Sequence, residues 1–221
     1  MMFTENQQAT INTTIAFVKS ELKGAVGGHD WFHIERVYKN ALLIASEENV
    51  NEFIVALAAL LHVIADSKFH DGDDSVGPKK AEAFLEKVAI SEENKNHLIQ
   101  IIANVSFKGG NDIKTIHSKE LEVVQDADRL DALGAVGIAR TFNYGGFINR
   151  AIYDTDIPPQ LNMTTQEYKA SKAPTIYLFY EKLLLLKDKM NTETAKKIAQ
   201  ERHTFMEEFL QQFYAEWEGK L

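Results

Sequence analysis

The chain has 221 residues, no cysteine and a formal net charge of −8. The lack of cysteine excludes a disulfide framework, a thiolate metal site and a cysteine nucleophile, and it fits a reducing compartment. The acidic balance argues against an extended nucleic-acid partner, because the general field of the protein repels phosphate. No apolar run reaches the roughly 18 residues of a membrane span, and the first twenty residues lack a signal-peptide pattern. We therefore expect a cytoplasmic protein.

Helical periodicity dominates the first third of the chain. A first amphipathic helix follows apolar residues at positions 11, 15, 18 and 22, and it should end near Gly24. Asp30 is predicted to cap a second helix, and Asn51 a third helix that runs to about residue 65. This third helix is apolar almost all round, which is typical of a helix at the centre of its domain.

The rest of the chain is also predicted to be helical. Short helices are expected over about 78–88 and 91–105, and a longer one over about 118–132 is followed by a helical stretch to residue 146. Residues 147–163 should be irregular, and a long helix over about 165–190 should kink at Pro174. Asn191 or Thr192 should cap a last helix, whose aromatic residues at positions 205, 209, 213 and 217 favour a core role over an interface.

This pattern predicts an all-α fold, with helices in bundle form and additional C-terminal helices. No period-2 strand of useful length, internal repeat or low-complexity segment is present. No clear linker divides the sequence, so we predict one domain over residues 1–221, with a core at about 20–135 and a helical extension at about 136–221.

Three ionisable residues stand at separate points of this helical pattern. His33 lies just inside the second helix, His62 lies near the end of the apolar third helix, and Asp128 lies on the helix of 118–132. A histidine or carboxylate in apolar surroundings is costly without a partner. Each residue alone has an ordinary structural interpretation, such as a hydrogen-bonded core histidine or an aspartate paired with Arg36 or Arg129. Together, two imidazoles and one carboxylate can converge on one divalent ion.

The segments around these residues resemble the signature blocks of the HD-domain metal-dependent phosphohydrolases, and of a small bacterial single-domain subgroup in particular. The matching segments are HDWFHIERV (29–37), LLHVIADSKFHDGD (60–73), VSFKGG (105–110), VQDADRLDALGAVGIARTFNYGG (124–146) and YEKLLLLKDKMNT (180–192). The resemblance implies an all-α core with a metal at its centre. It also implies hydrolysis of a phosphate ester or anhydride, often in a nucleotide.

The resemblance also implies roles for individual residues. His33, His62 and Asp128 would be metal ligands, Asp66 would be the acid/base carboxylate, and Asp71 is a second candidate for that role. The implied cofactor is a divalent ion, either Mn²⁺, Mg²⁺, Co²⁺, Ni²⁺ or Fe²⁺. The cations that would hold phosphate oxygens are Arg36, Lys68, Lys108 and Arg129.

Val63 departs from the family pattern. The family is named for a His-Asp pair, and here the residue after His62 is valine, which has no lone pair and cannot bind a metal. The remaining set of two histidines and one carboxylate can still bind a six-coordinate ion with water or substrate in the open positions. Loss of one anionic ligand raises the charge of the metal site by one, which should weaken metal binding and leave the ion a stronger Lewis acid.

Three hypotheses on function follow. The first is an enzyme that hydrolyses a small nucleotide, as a nucleoside triphosphate pyrophosphohydrolase or a nucleotidase. The second is a catalytically impaired module with a nucleotide-binding or regulatory role, and Val63 is the one residue that favours it. The third is a purely structural helical domain, which the concentration of polar residues disfavours. The expected partner is a small phosphorylated substrate and not a membrane, and a homodimer stays open.

Overall fold

The computed structural model describes residues 3–24, 30–64, 73, 75–105, 117–158, 160 and 173–221. Within these residues the chain forms helices and turns and no β-strand, which confirms the all-α prediction. None of the described helices combines the length and apolarity that crossing a bilayer requires. The chain divides into two compact units, Met1–Asp128 and Arg129–Leu221. The interpretation as one domain stays a prediction.

The first unit contains six helices of more than one turn within its described residues. The helices are α1 (Glu5–Glu21), α2 (Trp31–Ala45), α3 (Glu52–Leu61), α4 (Val76–Leu85), α5 (Glu92–Asn104) and α6 (Lys119–Leu130), whose last two residues belong to the second unit. Asp30 and Asn51 cap α2 and α3 through their side chains, as predicted. The helix α3 ends at Leu61, earlier than the predicted end near residue 65, and His62 is its C-cap.

The helix α3 is the central helix of the first unit. Every residue from Phe53 to Leu61 is buried, and α3 packs against α1, α2 and α5. Burial of each large aliphatic side chain stabilises the fold by about 1.5–3 kcal/mol. Because apolar residues cover all sides of α3, this packing fixes the position of the helix end at which His62 lies.

The second unit is built on two long helices and several short helical segments. The long helices are α7 (Gly134–Phe147) and α9 (Glu193–Trp217), and the short α-helix α8 covers Leu178–Glu181. Three-residue 3-10 turns cover Thr175–Tyr177, Leu183–Leu185 and Lys187–Lys189. Thr192 is the N-cap of α9, because its side chain accepts a hydrogen bond from the backbone N–H of Ala195.

The predicted long helix over 165–190 is wrong for residues 173–190, the part that the structure describes. Pro174 is extended and has no N–H to donate, so it cannot continue a helix. The next two backbone N–H groups, of Thr175 and Ile176, donate to the carbonyl oxygens of Ala151 and Ile152. These long-range bonds replace the local bonds that a continuous helix would need.

Aromatic packing joins α9 to the rest of the second unit. Phe209 and Phe213 both lie within ring contact of Phe142, so the predicted core role fits these two residues. Phe205 is 48% exposed, and Trp217 is 50% exposed although its ring stacks on Phe213. The predicted core role is therefore wrong for Phe205, because the aromatic stripe is wider than the buried face of the helix.

Candidate metal centre

His33 is fixed near the start of α2 by the helix cap. The Asp30 side chain accepts a hydrogen bond from the backbone N–H of His33 at 3.0 Å, so the capping bond is made at the candidate ligand itself. The imidazole is 3% exposed, and its Nε2 atom lies 3.5 Å from Oδ1 of Asp128. The local cap therefore anchors the backbone that carries this ring.

His62 is oriented by the last turn of α3. Its Nδ1 atom lies 2.7 Å from the carbonyl oxygen of Ala59. Since a carbonyl only accepts, we assign the ring proton to Nδ1, which leaves a lone pair on Nε2. That Nε2 atom is buried, has no hydrogen-bond partner within the described part of the chain, and lies 3.7 Å from Oδ1 of Asp128.

Asp128 completes the cluster from the last turn of α6. Its side chain is 39% exposed, whereas the two imidazoles are buried. One ligand atom from each of His33, His62 and Asp128 lies within 4.8 Å of the others, and the ring centroids are 5.4 Å apart. Asp128 is therefore the member of the cluster that solvent reaches most easily.

The donor set fits a divalent metal ion. Ligand atoms at about 2.0–2.2 Å from one ion lie no more than about 4.4 Å apart, and both imidazole-to-carboxylate distances meet this limit. A buried nitrogen without a partner carries a desolvation cost, and an ion bound to Nε2 of His62 would remove that cost. His33, His62 and Asp128 are therefore the residues that would hold the metal.

Among the residues that the structure describes, the neighbours in the chain add no fourth ligand to this set. Val63 is partly exposed and has no ligand atom. Asp131, which the helical spacing places on one face with Asp128, lies beyond the end of α6. Its buried carboxylate is 2.7 Å from Nη1 of Arg140, so it forms a structural ion pair. Sequence spacing misses this pair because α6 ends before residue 131.

The remaining predicted site residues are only partly described. Arg36 follows His33 by three residues on α2 and is half-buried. Arg129 donates from Nη1 to the carbonyl oxygen of Lys189 at 2.7 Å, so one of its nitrogens already has a structural acceptor. Their roles in substrate binding stay predictions. Four further predicted residues lie outside the described residues, namely Asp66, Lys68, Asp71 and Lys108.

A second histidine–carboxylate cluster lies in the same unit, and we call its residues Asn51, His97 and Glu120 the Glu120 cluster. The Glu120 side chain accepts a hydrogen bond from the backbone N–H of Asn51 at 3.0 Å, and its other oxygen lies 3.3 Å from His97 Nε2. It thereby joins α3, α5 and α6. The sequence shows no signal for this cluster, because its contacts are long-range.

The pKa of Glu120 reflects competing effects. Burial is the largest influence and raises the pKa. Hydrogen bonds from the backbone N–H groups of Asn51 and Glu120, together with the interaction with His97, outweigh burial and hold the pKa of Glu120 below its ordinary value. The cluster is therefore stabilised by the ionised carboxylate.

Comparisons with known proteins identify the family. The family model "HD domain" matches residues 31–133, a segment that contains His33, His62 and Asp128. Protein YpgQ of Bacillus subtilis strain 168 is 38% identical over 199 residues, which cover 89% of this chain and 88% of that protein. The chain is thus similar to this relative over nearly the full length of both.

Solved structures agree with this similarity. A crystal structure of an HD-superfamily hydrolase from Bacillus thuringiensis matches with a TM-score of 0.77 and 45% identity, and the match covers 96% of this chain and 98% of that one. The crystal structure of B. subtilis YpgQ in complex with ADP matches with a TM-score of 0.76 and 35% identity, covering 96% of each chain. These relatives support hydrolase activity in general. The chain is therefore a member of the HD-domain family.

Proposed function

We propose that the protein is a metal-dependent phosphohydrolase that acts on a small nucleotide, with pyrophosphohydrolysis of nucleoside triphosphates as the preferred reaction. The observation that carries the proposal is the cluster of His33, His62 and Asp128, in which the buried Nε2 of His62 has no hydrogen-bond partner among the described residues. The HD-superfamily hydrolase relatives support hydrolysis, and the ADP complex of YpgQ supports a nucleotide substrate.

The residues of the cluster have distinct tasks in this proposal. His33 and His62 present neutral nitrogen ligands, and the carbonyl oxygen of Ala59 keeps the His62 lone pair on Nε2. Asp128 supplies the negative charge, and its side chain is partly exposed to solvent. A divalent ion held by these residues would polarise a phosphoryl oxygen and lower the pKa of a bound water.

The proposed proton transfer and phosphate binding depend on residues known from sequence alone. Asp66 follows His62 by four residues and would accept a proton from the attacking water or donate one to the leaving-group oxygen. Since the net charge of the protein is −8, nearby cations must attract the anionic substrate locally. Arg36 is placed one turn after His33 and is the described candidate on α2 for this task.

The direct test is a substrate screen with the full chain. Nucleoside triphosphates, monophosphates and simple phosphate esters would each be incubated with Mn²⁺, Mg²⁺, Co²⁺ or Ni²⁺, and released phosphate and pyrophosphate measured separately. We expect metal-dependent release of pyrophosphate from a triphosphate and its loss in Asp128→Asn. The same low rate for every substrate, with and without metal, would contradict the proposal.

A second candidate function is nucleotide binding without turnover, and Val63 is the observation that favours it. A site with one anionic ligand fewer would bind metal more weakly and could retain a nucleotide without hydrolysing it. Equilibrium dialysis with a nucleoside triphosphate, followed by product analysis of the same sample, distinguishes the two functions. Bound and intact nucleotide after long incubation with metal would support the second.

A further inference from the structure

We infer that the metal site of this chain selects ions that prefer imidazole ligands, such as Ni²⁺, Co²⁺ and Zn²⁺, over Mg²⁺ and Mn²⁺. The inference rests on the proposed function, because it requires that His33, His62 and Asp128 bind a metal. It goes further by naming the class of ion that the site prefers, and it attributes this preference to Val63.

The first step of the argument is the ligand set. Within the described residues, the cluster offers two imidazole nitrogens and one carboxylate oxygen, and Val63 adds none. Imidazole suits Zn²⁺, Cu²⁺, Fe²⁺ and Ni²⁺, whereas carboxylate, carbonyl and water suit Mg²⁺, Ca²⁺ and Mn²⁺. A site in which nitrogen ligands outnumber oxygen ligands therefore disfavours the second group.

The second step is the order of the ligands. The Nε2 lone pair of His62 is fixed by the bond between its Nδ1 and the Ala59 carbonyl oxygen. The backbone of His33 is anchored by the Asp30 cap, and both imidazoles are buried. The oxygen ligand, Asp128, is the exposed member of the set. The two nitrogen ligands are thus held in place before an ion binds, which favours ions that bind nitrogen.

The third step is charge. With the three described ligands, two neutral imidazoles and one carboxylate, a bound divalent ion has a net charge of +1, and a carboxylate at position 63 would reduce this charge to zero. Mg²⁺ and Mn²⁺ bind mainly through anionic and neutral oxygens, so they lose more from the absence of that carboxylate. The ratio of Ni²⁺ affinity to Mn²⁺ affinity, and not only the affinity for each ion, should therefore depend on residue 63.

The experiment measures this ratio with the metal ions alone as probes. Metal-free full-length native protein, Val63→Asp, Val63→Asn and Val63→Ala would be titrated with Ni²⁺, Co²⁺, Zn²⁺, Mn²⁺ and Mg²⁺. Dissociation constants come from calorimetry, and unfolding temperatures give a second readout. Val63→Asn adds an oxygen without charge, and Val63→Ala changes the site without adding an oxygen. His33→Gln shows how much of the binding occurs elsewhere on the surface.

In the native protein we expect Ni²⁺ to bind at least about 100-fold more tightly than Mn²⁺, and Mg²⁺ to bind most weakly. Val63→Asp should lower the ratio of the Mn²⁺ dissociation constant to the Ni²⁺ dissociation constant by at least about 10-fold. The estimate follows from residues that only orient metal ligands, whose loss changes metal affinity by about 10–100-fold. Val63→Asn should lower the ratio less, and Val63→Ala should keep the native ratio.

Equal binding of Ni²⁺ and Mn²⁺ by the native chain would overturn the inference and leave the proposed function intact. An unchanged ratio in Val63→Asp and Val63→Asn would also overturn it, because residue 63 would then not face the ion. If Val63→Asp does not fold, the change of the ratio in Val63→Asn decides the matter, because Ni²⁺ binds more tightly than Mn²⁺ at most sites with nitrogen and oxygen ligands. Absence of binding of any ion to the native chain would overturn the proposed function as well.

Discussion

Two clusters in the unit Met1–Asp128 bring histidine and carboxylate side chains together, yet their hydrogen bonding differs. In the Glu120 cluster, one carboxylate oxygen lies 3.0 Å from the Asn51 backbone N, and the other lies 3.3 Å from His97 Nε2. In the metal cluster, Oδ1 of Asp128 lies 3.7 Å from Nε2 of His62, too far for a hydrogen bond. That nitrogen is buried and has no hydrogen-bond partner among the described residues.

The positions of the two clusters make the comparison informative. Asn51 and Glu120 lie at the N-terminal ends of α3 and α6, and His62 and Asp128 lie at or near their C-terminal ends. The two helices thus run in the same direction, with about 16 Å of α3 between the clusters. Buried polar atoms normally have a hydrogen-bond partner. The lone pair of His62 Nε2, at the C-terminal end of α3, therefore needs a ligand to explain it. Residue types alone would not separate the two sites.

The largest expected effect is that of Asp128→Asn. Removing the only carboxylate in the described ligand set should reduce metal affinity by at least about 100-fold, more than loss of residues that only orient ligands. The metal-free protein should unfold near the native temperature, because the side chain is 39% exposed. Calorimetric titration with Ni²⁺ measures the metal affinity, and thermal unfolding with and without the ion measures the stability. Native affinity in this variant would separate Asp128 from the metal site.

Glu120→Gln is the matched change in the other cluster. It weakens the bonds to Asn51 and His97 and should lower the free energy of unfolding by about 1–2 kcal/mol, since bonds to a charged acceptor are stronger than average. Metal affinity should stay within about twofold, because the cluster contributes no ligand. Urea unfolding and the same Ni²⁺ titration measure the two effects. A loss of affinity like that of Asp128→Asn would mean that both helix ends position the ligands.

Asp30→Ala tests a residue that links local stability to the metal cluster. Loss of the cap bond to the His33 backbone N–H should cost about 1 kcal/mol of stability. Metal affinity should also fall, by less than about 10-fold, because the His33 ring is less well held but keeps its ligand atom. Asp30→Asn is the control, since asparagine caps about as well as aspartate. Equal losses in both variants would show that the charge, and not the cap, matters.

The smallest expected effect is on the pH dependence of stability. The pKa of Glu120 is lowered from its ordinary value of 4.5, so its contribution is complete above that pH and is lost as pH falls through the folded-state pKa. Glu120→Gln should therefore have a shallower loss of stability below pH 4.5 than the native protein. Denaturant unfolding at pH 3, 4, 5 and 7 measures the slope. Parallel curves would indicate that His97 and Asn51 do not stabilise the ionised form.

Local features of the sequence determined most of the helical architecture. The caps at Asp30, Asn51 and Thr192 act within three residues along the chain, so their side chains can be matched to helix starts without tertiary information. The all-apolar pattern of α3 likewise predicts a central helix. The signature segments indicate the HD-domain family and single out His33, His62 and Asp128, and the family follows because those residue types recur in a characteristic order.

Only the tertiary structure decided how the distant residues are used. The bond from Asn51 to Glu120 spans 69 positions, and the contacts of Thr175 and Ile176 with residues 151 and 152 replace a helix that local periodicity favours. The lone pair on His62 Nε2 depends on which acceptor faces Nδ1, and the pairing of Asp131 with Arg140 depends on where α6 ends. Periodicity fixes which face of a helix is apolar, whereas the partner of each polar atom is fixed by packing between elements.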